Sequence, residues 1–561
     1  MDHAANPSPT SGMARASRRA WPRREVPSAL RARYVAQGWW TDDTLGGVVD
    51  RSLRAFPDAT VNIWSDTRPW RGTYAEIRDE ALRLAAGLRD AGLDPGDVVA
   101  FQLPNWREAV VAFYGLAMGG FVLVPIVHIY GAKEVRFILA ESHARAYLSA
   151  DRFGHVNYSD IVDDAPPETL RELQVHVVVA STDPAPSRRI RRVAWDALTA
   201  TRPGEVVASV DPDEVCVLAY TSGTTSDPKG VMHSHRTLCS EVGHIRPWIT
   251  PGAPNLMGSP VTHATGMLGA VLAPMELGED IHLIDRWDPG RVLDVMLEAD
   301  VGAGTGASVF LSSVIDHPGF TAEHARRIRR VGLGGAPVPH ALAERAAAHG
   351  IGLVRAYGST EHPSVSGGSF DDPAEQRHRT DGRPLTGVEV RLLDEEGHPV
   401  PIGQAGEIWS RGPDLCLGYT DPALTDQAFD EAGWYRTGDM GVLDADGFLT
   451  ITDRLNDVII RGGENISAAE IEAALATLPA IAEVAVVGVP DDRLGERACA
   501  VVRLVSSAAP IELRHITDHL GEIGLARQKW PEALAIVEDF PRTASGKIRK
   551  VDLRRARREP S

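Results

Sequence analysis

Between Ala109 and Ala132 the chain runs 24 positions without a charged side chain. A stretch of that length either crosses a membrane or lies wholly inside a protein. Gly115, Gly119, Gly120 and Pro125 decide the matter, because they divide it into a helix, a Gly-Gly turn and the strand Phe121–Pro125. An apolar helix leading straight into an apolar strand suits a parallel sheet covered on both faces. No stable membrane insertion is expected.

The neighbouring segments agree. Thr73 and Glu76 form a capping box, Ile77, Ala81, Leu84 and Leu88 share one helical face, and Gly92 ends the helix before the apolar strand Val98–Leu103. Strands alternate with helices to about residue 330, which predicts parallel α/β subdomains. From Val388 to Trp409 short strands and turns take over, the text of a β-rich subdomain. After Asp453, Ser467 and Glu470 cap a helix to Leu478, Glu483–Val489 and Ala498–Val505 read as paired strands, and a helix near Leu513–Ile523 precedes a strand around Ala533–Val537. The expected fold is α/β: a large N-terminal domain over 39–453, a hinge at 454–456, and a small mobile α+β domain over 457–552. Residues 1–38, with Pro7, Pro9, Pro22 and Pro27 among many arginines, read as a disordered tail, and 553–561 as a basic tail.

At 561 residues and a net charge of −18, the chain is long enough for several domains and lacks the electrostatic footprint of a nucleic-acid binder. Cys216, Cys239, Cys416 and Cys499 stand far apart, so neither a disulfide framework nor a zinc site of paired cysteines is indicated, and a reducing cytoplasm is expected. Only five lysines, Lys133, Lys229, Lys529, Lys547 and Lys550, accompany 53 arginines. A lysine retained where arginine is the habitual cation marks a site that needs a compact ammonium.

One of them closes the segment Tyr220–Gly230, Y-T-S-G-T-T-S-D-P-K-G, directly after the apolar strand Val215–Ala219. Hydroxyls and a glycine after a strand offer donors and close backbone approach to phosphate oxygens, and Lys229 adds a point charge. The spacing is not that of a Walker A loop. A polar turn between strand and helix is the bland alternative.

The chain resembles the adenylate-forming enzymes, a family that includes acyl-CoA synthetases, stand-alone adenylation domains and beetle luciferase. The resemblance runs from about residue 40 to 552. Besides 220–230 it rests on P-V-T-H-A-T-G at 260–266, G-G-A-P at 334–337, A-Y-G-S-T-E at 356–361, G-W-Y-R-T-G-D at 433–439, D-R-L-N-D-V-I-I-R-G-G-E-N-I at 453–466 and P-R-T-A-S-G-K at 541–547. It implies that a carboxylate attacks the α-phosphorus of ATP to give acyl-AMP and pyrophosphate, after which CoA displaces AMP. Two anions must meet, so positioning and charge neutralisation should dominate the barrier.

By this resemblance Thr221, Ser222, Gly223, Thr224, Thr225 and Lys229 cradle the β- and γ-phosphates. Tyr357 lies against adenine, Thr360 donates to the α-phosphate, Glu361 holds Mg²⁺, and Asp439 accepts from the ribose with Arg454 beside it. Lys547 bridges the carboxylate and the α-phosphate. His263, Gly334, Gly335 and Ala336 border the acyl pocket, and Gly302–Ser312 supplies further wall. Arg461, Gly462, Gly463 and Glu464 form the loop that replaces Lys547 for the CoA step after the small domain rotates. The bland counterparts are a surface carboxylate for Glu361, a core aromatic for Tyr357, a turn residue for Asp439, a packed histidine for His263 and a tail cation for Lys547.

Two positions depart from the family's pattern. Ser226 stands where glycine is common, and Asn456 replaces the lysine or aspartate usual at the hinge. The implied activity is an ATP-dependent carboxylate–CoA ligase using ATP, Mg²⁺ and CoA on a medium-chain or cyclic acid. Loading of a separate carrier protein, a luciferase-like oxygenation and a non-turning-over nucleotide-binding regulator are the competing readings. A homodimer is left open.

Overall fold

The computed structural model describes residues 21–154, 156–166, 168–179, 187, 190–204, 207–221, 228–336, 338–454, 457, 459–461, 464–491, 495–505, 509–523, 525, 527–543 and 546–558. The uncharged run forms helix Arg107–Gly119, Gly120 in the left-handed conformation at φ 71°, and strand Val122–Pro125, all buried. A side chain at Gly120 would be strained there, which is why the run breaks at this point. Ahead of it, Thr73 and Glu76 form the expected capping box on helix Tyr74–Asp90. Among the described residues no helix is long and apolar enough to cross a membrane.

Strand Val122–Pro125 is the third of a seven-stranded sheet ordered Lys229–Ser234, Val215–Thr221, Val122–Pro125, Val98–Gln102, Ala146–Ala150, Val175–Val179 and Arg191–Ala194. All its neighbours pair in parallel except the first two, which form an antiparallel hairpin. A five-stranded sheet runs Gly302–Ala303, Asn255–Met257, Ile281–Ile284, Thr60–Trp64, Trp70–Thr73, and shares the core of the first. Strands Arg330–Gly334 and Gly352–Tyr357 begin a short mixed sheet. The β-rich unit is a four-stranded antiparallel sheet, Glu389–Leu393, Ala405–Arg411, Tyr435–Leu443 and Leu449–Arg454. The C-terminal unit has its own core around the antiparallel pair Ile481–Asp491 and Gly495–Leu504.

Two expectations are corrected. Of the expected N-terminal tail, residues 21–38 carry helix Ser28–Ala36, with Tyr34 and Trp40 buried behind it. The prolines do not prevent it, because Pro27 occupies the position just before the helix, where a ring without N–H costs nothing. At the other end, residues 550–558 form a helix in which Leu553 is buried and Arg554 pairs with Asp457, so 553–558 is not a free basic tail. The helix opened by Ser467 ends at Leu475, and the Glu470 carboxylate turns to Lys529 Nζ at 2.6 Å. The expected hinge residue Asn456 lies outside the described residues.

Candidate active site

The hairpin Val215–Thr221/Lys229–Ser234 sets Thr221 opposite Lys229 in register. Ser222, Gly223, Thr224 and Thr225 lie outside the described residues. The Lys229 ammonium stands 5.6 Å from the centre of the Tyr419 ring, and the hydroxyl of that tyrosine donates to Glu361 Oε1 at 2.7 Å. One aromatic side chain therefore holds both a cation and a carboxylate that the sequence places 132 residues apart. Burial and the Glu361 charge push the Tyr419 hydroxyl up, so it stays a donor.

Glu361 is 9% exposed and is fixed through its backbone as well, its carbonyl accepting from the Cys416 amide at 2.9 Å. Its neighbour Thr360 is held from below: buried His233, on the hairpin, sets Nε2 2.8 Å from the Thr360 carbonyl. A carbonyl only accepts, so Nε2 carries the hydrogen. Burial lowers the pKa of this imidazole, which keeps it in the neutral donor form. Tyr357 ends strand Gly352–Tyr357 and donates its hydroxyl to Asp439 Oδ2 at 2.7 Å. Asp439 is 5% exposed and faces Arg454 across the antiparallel ladder. Tyr357, Thr360, Glu361 and Asp439 thus come together on one wall, with Lys229 at its edge.

The opposite side begins at His263, which precedes the short helix Ala264–Gly266 and accepts from the Thr265 amide through Nδ1 at 3.3 Å. Burial, with the Lys547 charge adding to it, lowers this imidazole to about 4. The Lys547 charge, carried by the small domain, is thus felt at His263. Its loop is braced: the Lys547 amide donates to Thr543 Oγ1 at 3.1 Å, the Thr543 amide donates to the Lys547 carbonyl at 2.7 Å, and Arg542 Nη2 reaches both Glu483 oxygens at 2.8 Å. Gly546 lies against Val309, where a β-carbon would stand 3.3 Å from Cγ1.

Gly334, Gly335 and Ala336 follow strand Arg330–Gly334, and reciprocal backbone bonds join them to the other expected wall: the Gly306 amide to the Gly332 carbonyl and the Gly334 amide to the Gly306 carbonyl, at 3.0 and 2.9 Å. Beside Gly306 stand Ser259 and Phe310, and Phe310 meets Trp287 edge-on at 4.6 Å between ring centres. In the loop expected to serve the CoA step, Gly462 and Gly463 lie outside the described residues. Arg461 and Glu464 pair as the ends of a hairpin, and the Arg461 guanidinium is engaged by Glu532 of its own domain at 2.6 and 3.2 Å. The sequence reading missed His233, Tyr419 and Trp287, while Phe310 falls within the expected Gly302–Ser312 wall. A buried His and Tyr beside phosphate-binding motifs were its nearest available signals.

Residues 49–420 match the family described as AMP-binding enzyme, and residues 470–547 match the AMP-binding enzyme C-terminal domain. The chain is similar to the medium-chain fatty-acid–CoA ligase of Escherichia coli (strain K12), 33% identical over 94% of this chain and 92% of that protein. It is equally similar to a feruloyl-CoA synthase of an Amycolatopsis species, 33% identical over 91% of this chain and 98% of the relative. Among solved structures, ATP-bound MatB from Rhodopseudomonas palustris superposes with a TM-score of 0.80 at 26% identity, over 91% of this chain and 98% of that one.

Proposed function

The chain belongs to the AMP-binding enzyme family, and from that membership we propose that the residues gathered around Glu361 and Lys547 perform its chemistry. The protein is an AMP-forming acyl-CoA synthetase: a carboxylate and ATP give acyl-AMP and pyrophosphate, and CoA then gives acyl-CoA and AMP. In the first step a carboxylate oxygen bonds to the α-phosphorus as the bond to the pyrophosphate oxygen breaks. In the second the thiolate adds to the acyl carbon and AMP departs.

The observation that carries the residue assignment is the pair of bonds that fixes Tyr357 to Asp439 and Glu361 to Tyr419 beside Lys229, with the Lys547 loop resting through Gly546 on Val309 of the large domain. A long ammonium entering from one domain, across from a fixed carboxylate and tyrosine in the other, suits the bridging of two reacting anions. In this reading Lys547 neutralises the carboxylate and α-phosphate as they approach, Thr360 donates to the α-phosphate, and Lys229 with Thr221 draws in the terminal phosphates. Asp439 accepts from ribose hydroxyls while Tyr357, anchored to it, presents its ring to the base.

Glu361 fits a hard divalent ion: it is a buried carboxylate with one oxygen oriented by Tyr419. Mg²⁺ held there with the phosphates would supply charge neutralisation. His263, kept neutral, lines the acyl side without adding a second cation to Lys547. Arg461, engaged by Glu532 while the Lys547 charge is felt at His263, fits the adenylation half of the cycle. Exchange of the two between steps belongs to the same proposal, as does a cytoplasmic setting where ATP and CoA are supplied.

For the acid we propose a medium-chain or ring-bearing carboxylate. The apolar Trp287–Phe310 pair beside the small Gly306 supports this reading, and the relatives named above act on one acid of each kind. A mass-spectrometric assay with ATP, Mg²⁺ and CoA against short, medium, long, aromatic and alicyclic acids tests this. Acyl-CoA and AMP with medium-chain or cyclic acids support it; turnover confined to acetate-sized or long-chain acids refutes the acid class and leaves the reaction standing.

A further inference from the structure

Behind the Thr360–Glu361 turn lies a group of polar side chains that the chemistry above does not use. Glu241 and His244 stand three apart on helix His235–Ile245, hence on one face, and Asp414 follows strand Ala405–Arg411. The Glu241 and Asp414 side chains are wholly buried, and His244 is only 9% exposed. His244 Nε2 donates to the Thr386 carbonyl at 2.8 Å, which turns Nδ1 toward the two carboxylates.

The spacing around Nδ1 is informative. It stands 3.6 Å from Asp414 Oδ1 and 3.7 Å from Glu241 Oε2. Both separations exceed hydrogen-bond range, and Nδ1 and Glu241 Oε2 are buried without a hydrogen-bond partner. Unpartnered buried atoms of this kind are costly. Two ligand atoms held by one tetrahedral zinc-sized ion at about 2.1 Å lie about 3.4 Å apart, within a few tenths of an ångström of what is seen.

The outer contacts have the same character. Ser364 Oγ donates to Glu241 Oε1 at 2.6 Å, leaving Oε2 for the gap, and His362 Nε2 meets Asp414 Oδ1 at 3.2 Å with its Nδ1 2.8 Å from Ser410 Oγ. Glu241 and His244 are thus each oriented through the atom that faces away from the gap, as metal ligands are, while Asp414 shares its Oδ1 with His362. The field favours a cation, because two wholly buried carboxylates face the same gap.

We propose that Glu241 Oε2, His244 Nδ1 and Asp414 Oδ1 bind one divalent cation of the zinc class, at a site distinct from the nucleotide's Mg²⁺. Binding displaces the Nδ1 proton to solvent, so one proton leaves for each His244 that ligates. The cation would fasten helix His235–Ile245 to the 414 loop, whose Cys416 amide holds Glu361 in place. Its role is to stiffen the active-site turn.

The test uses the full chain, stripped with EDTA and dialysed, without nucleotide. Zn²⁺ is added and the metal retained after gel filtration is measured by mass spectrometry; Co²⁺ is added separately and its visible absorption recorded. The proposal expects one equivalent of Zn²⁺, an intense tetrahedral Co²⁺ band that Zn²⁺ abolishes, and at least about tenfold weaker binding in Glu241→Gln and Asp414→Asn. Glu361→Gln should bind Zn²⁺ as the parent does. Retention of no Zn²⁺ by the unsubstituted protein, which needs no variant to fold, would overturn it. So would unchanged binding in a folded Glu241→Gln, or loss of binding in Glu361→Gln.

Discussion

Tyr419→Phe removes a single oxygen from the wall that holds Glu361. The bond it breaks is 2.7 Å long, runs to a carboxylate, and joins side chains 4% and 9% exposed. A hydrogen bond to a charged group in such a place contributes about 1.5–3 kcal/mol. At about 1.4 kcal/mol per factor of ten, that corresponds to roughly 10- to 150-fold in whichever equilibrium the bond controls. The ring is kept, so the attraction of Lys229 and the packing with Val231 and Cys416 persist. The loss should fall on the orientation of Glu361. Pyrophosphate exchange titrated with Mg²⁺ reads it directly: the half-saturating Mg²⁺ concentration should rise at least about tenfold, while the rate at saturating Mg²⁺ largely recovers. Tyr419→Ala, which also removes the ring from beneath Lys229, should in addition raise the KM for ATP. A folded Tyr419→Phe protein with an unaltered Mg²⁺ titration would refute the link between this bond and the metal.

Lys547→Ala should lower pyrophosphate exchange by about 100-fold or more with little change in Tm, and near-normal exchange would remove Lys547 from the reaction. Gly358→Ala should disable the site by displacing its turn, because the new β-carbon would lie 1.9 Å from the Pro363 carbonyl oxygen; a cost of about 1–3 kcal/mol or more is expected, read as a lower Tm together with lost activity, and an unchanged Tm contradicts it. Acid should destabilise the fold well above the carboxylate range. Burial holds His128, His235, His263 and His282 at about 4 and His176 at about 3. The unfolded chain therefore binds more protons than the native one below about pH 6.5, and stability present above that pH is lost as it falls toward 4. Glu241, raised by burial, acts in the opposite sense, as do the buried Glu80, Asp381 and Glu472, but the lowered histidines, with His233 and His378 added, outnumber them. Melting curves from pH 7.5 to 4.5 should show Tm falling from about 6.5 downward, and a flat Tm to pH 5 would contradict the reasoning.

Much of this was legible in the sequence because the signals were local. The capping box at Thr73 and Glu76, the glycines that break the uncharged run and the strand texts at 483–489 and 498–505 each act within a few residues, and the observed strands Ile481–Asp491 and Gly495–Leu504 contain most of the latter. Tyr357, Glu361, Asp439 and Lys547 were named from motifs, and the structure adds the bonds that hold each, Tyr357 to Asp439, Glu361 to Tyr419 and Lys547 to Thr543. Tyr419 and His233 were missed because they act across 58 and 127 positions of sequence, a reach for which periodicity offers no marker. The two ends misled for a related reason. Arginine and proline made both look like tails, whereas a few apolar side chains, Leu30 and Tyr34 at one end and Leu553 at the other, are enough to fix a helix once a partner surface exists.

The N-terminal strap reaches further than its helix. Arg24 donates through Nε to the Cys416 carbonyl at 2.8 Å and through Nη2 to the Leu415 carbonyl at 3.4 Å, its amide bonds to the Leu417 carbonyl at 3.1 Å, and its guanidinium stands 4.9 Å from the centre of the Phe429 ring. Those carbonyls belong to the same stretch whose amide at Cys416 steadies Glu361. Protein engineering must therefore treat Arg24 and the helix that follows it as part of the scaffold behind Glu361: a truncation that removes Arg24 frees the Leu415 and Cys416 carbonyls and loosens that turn from behind.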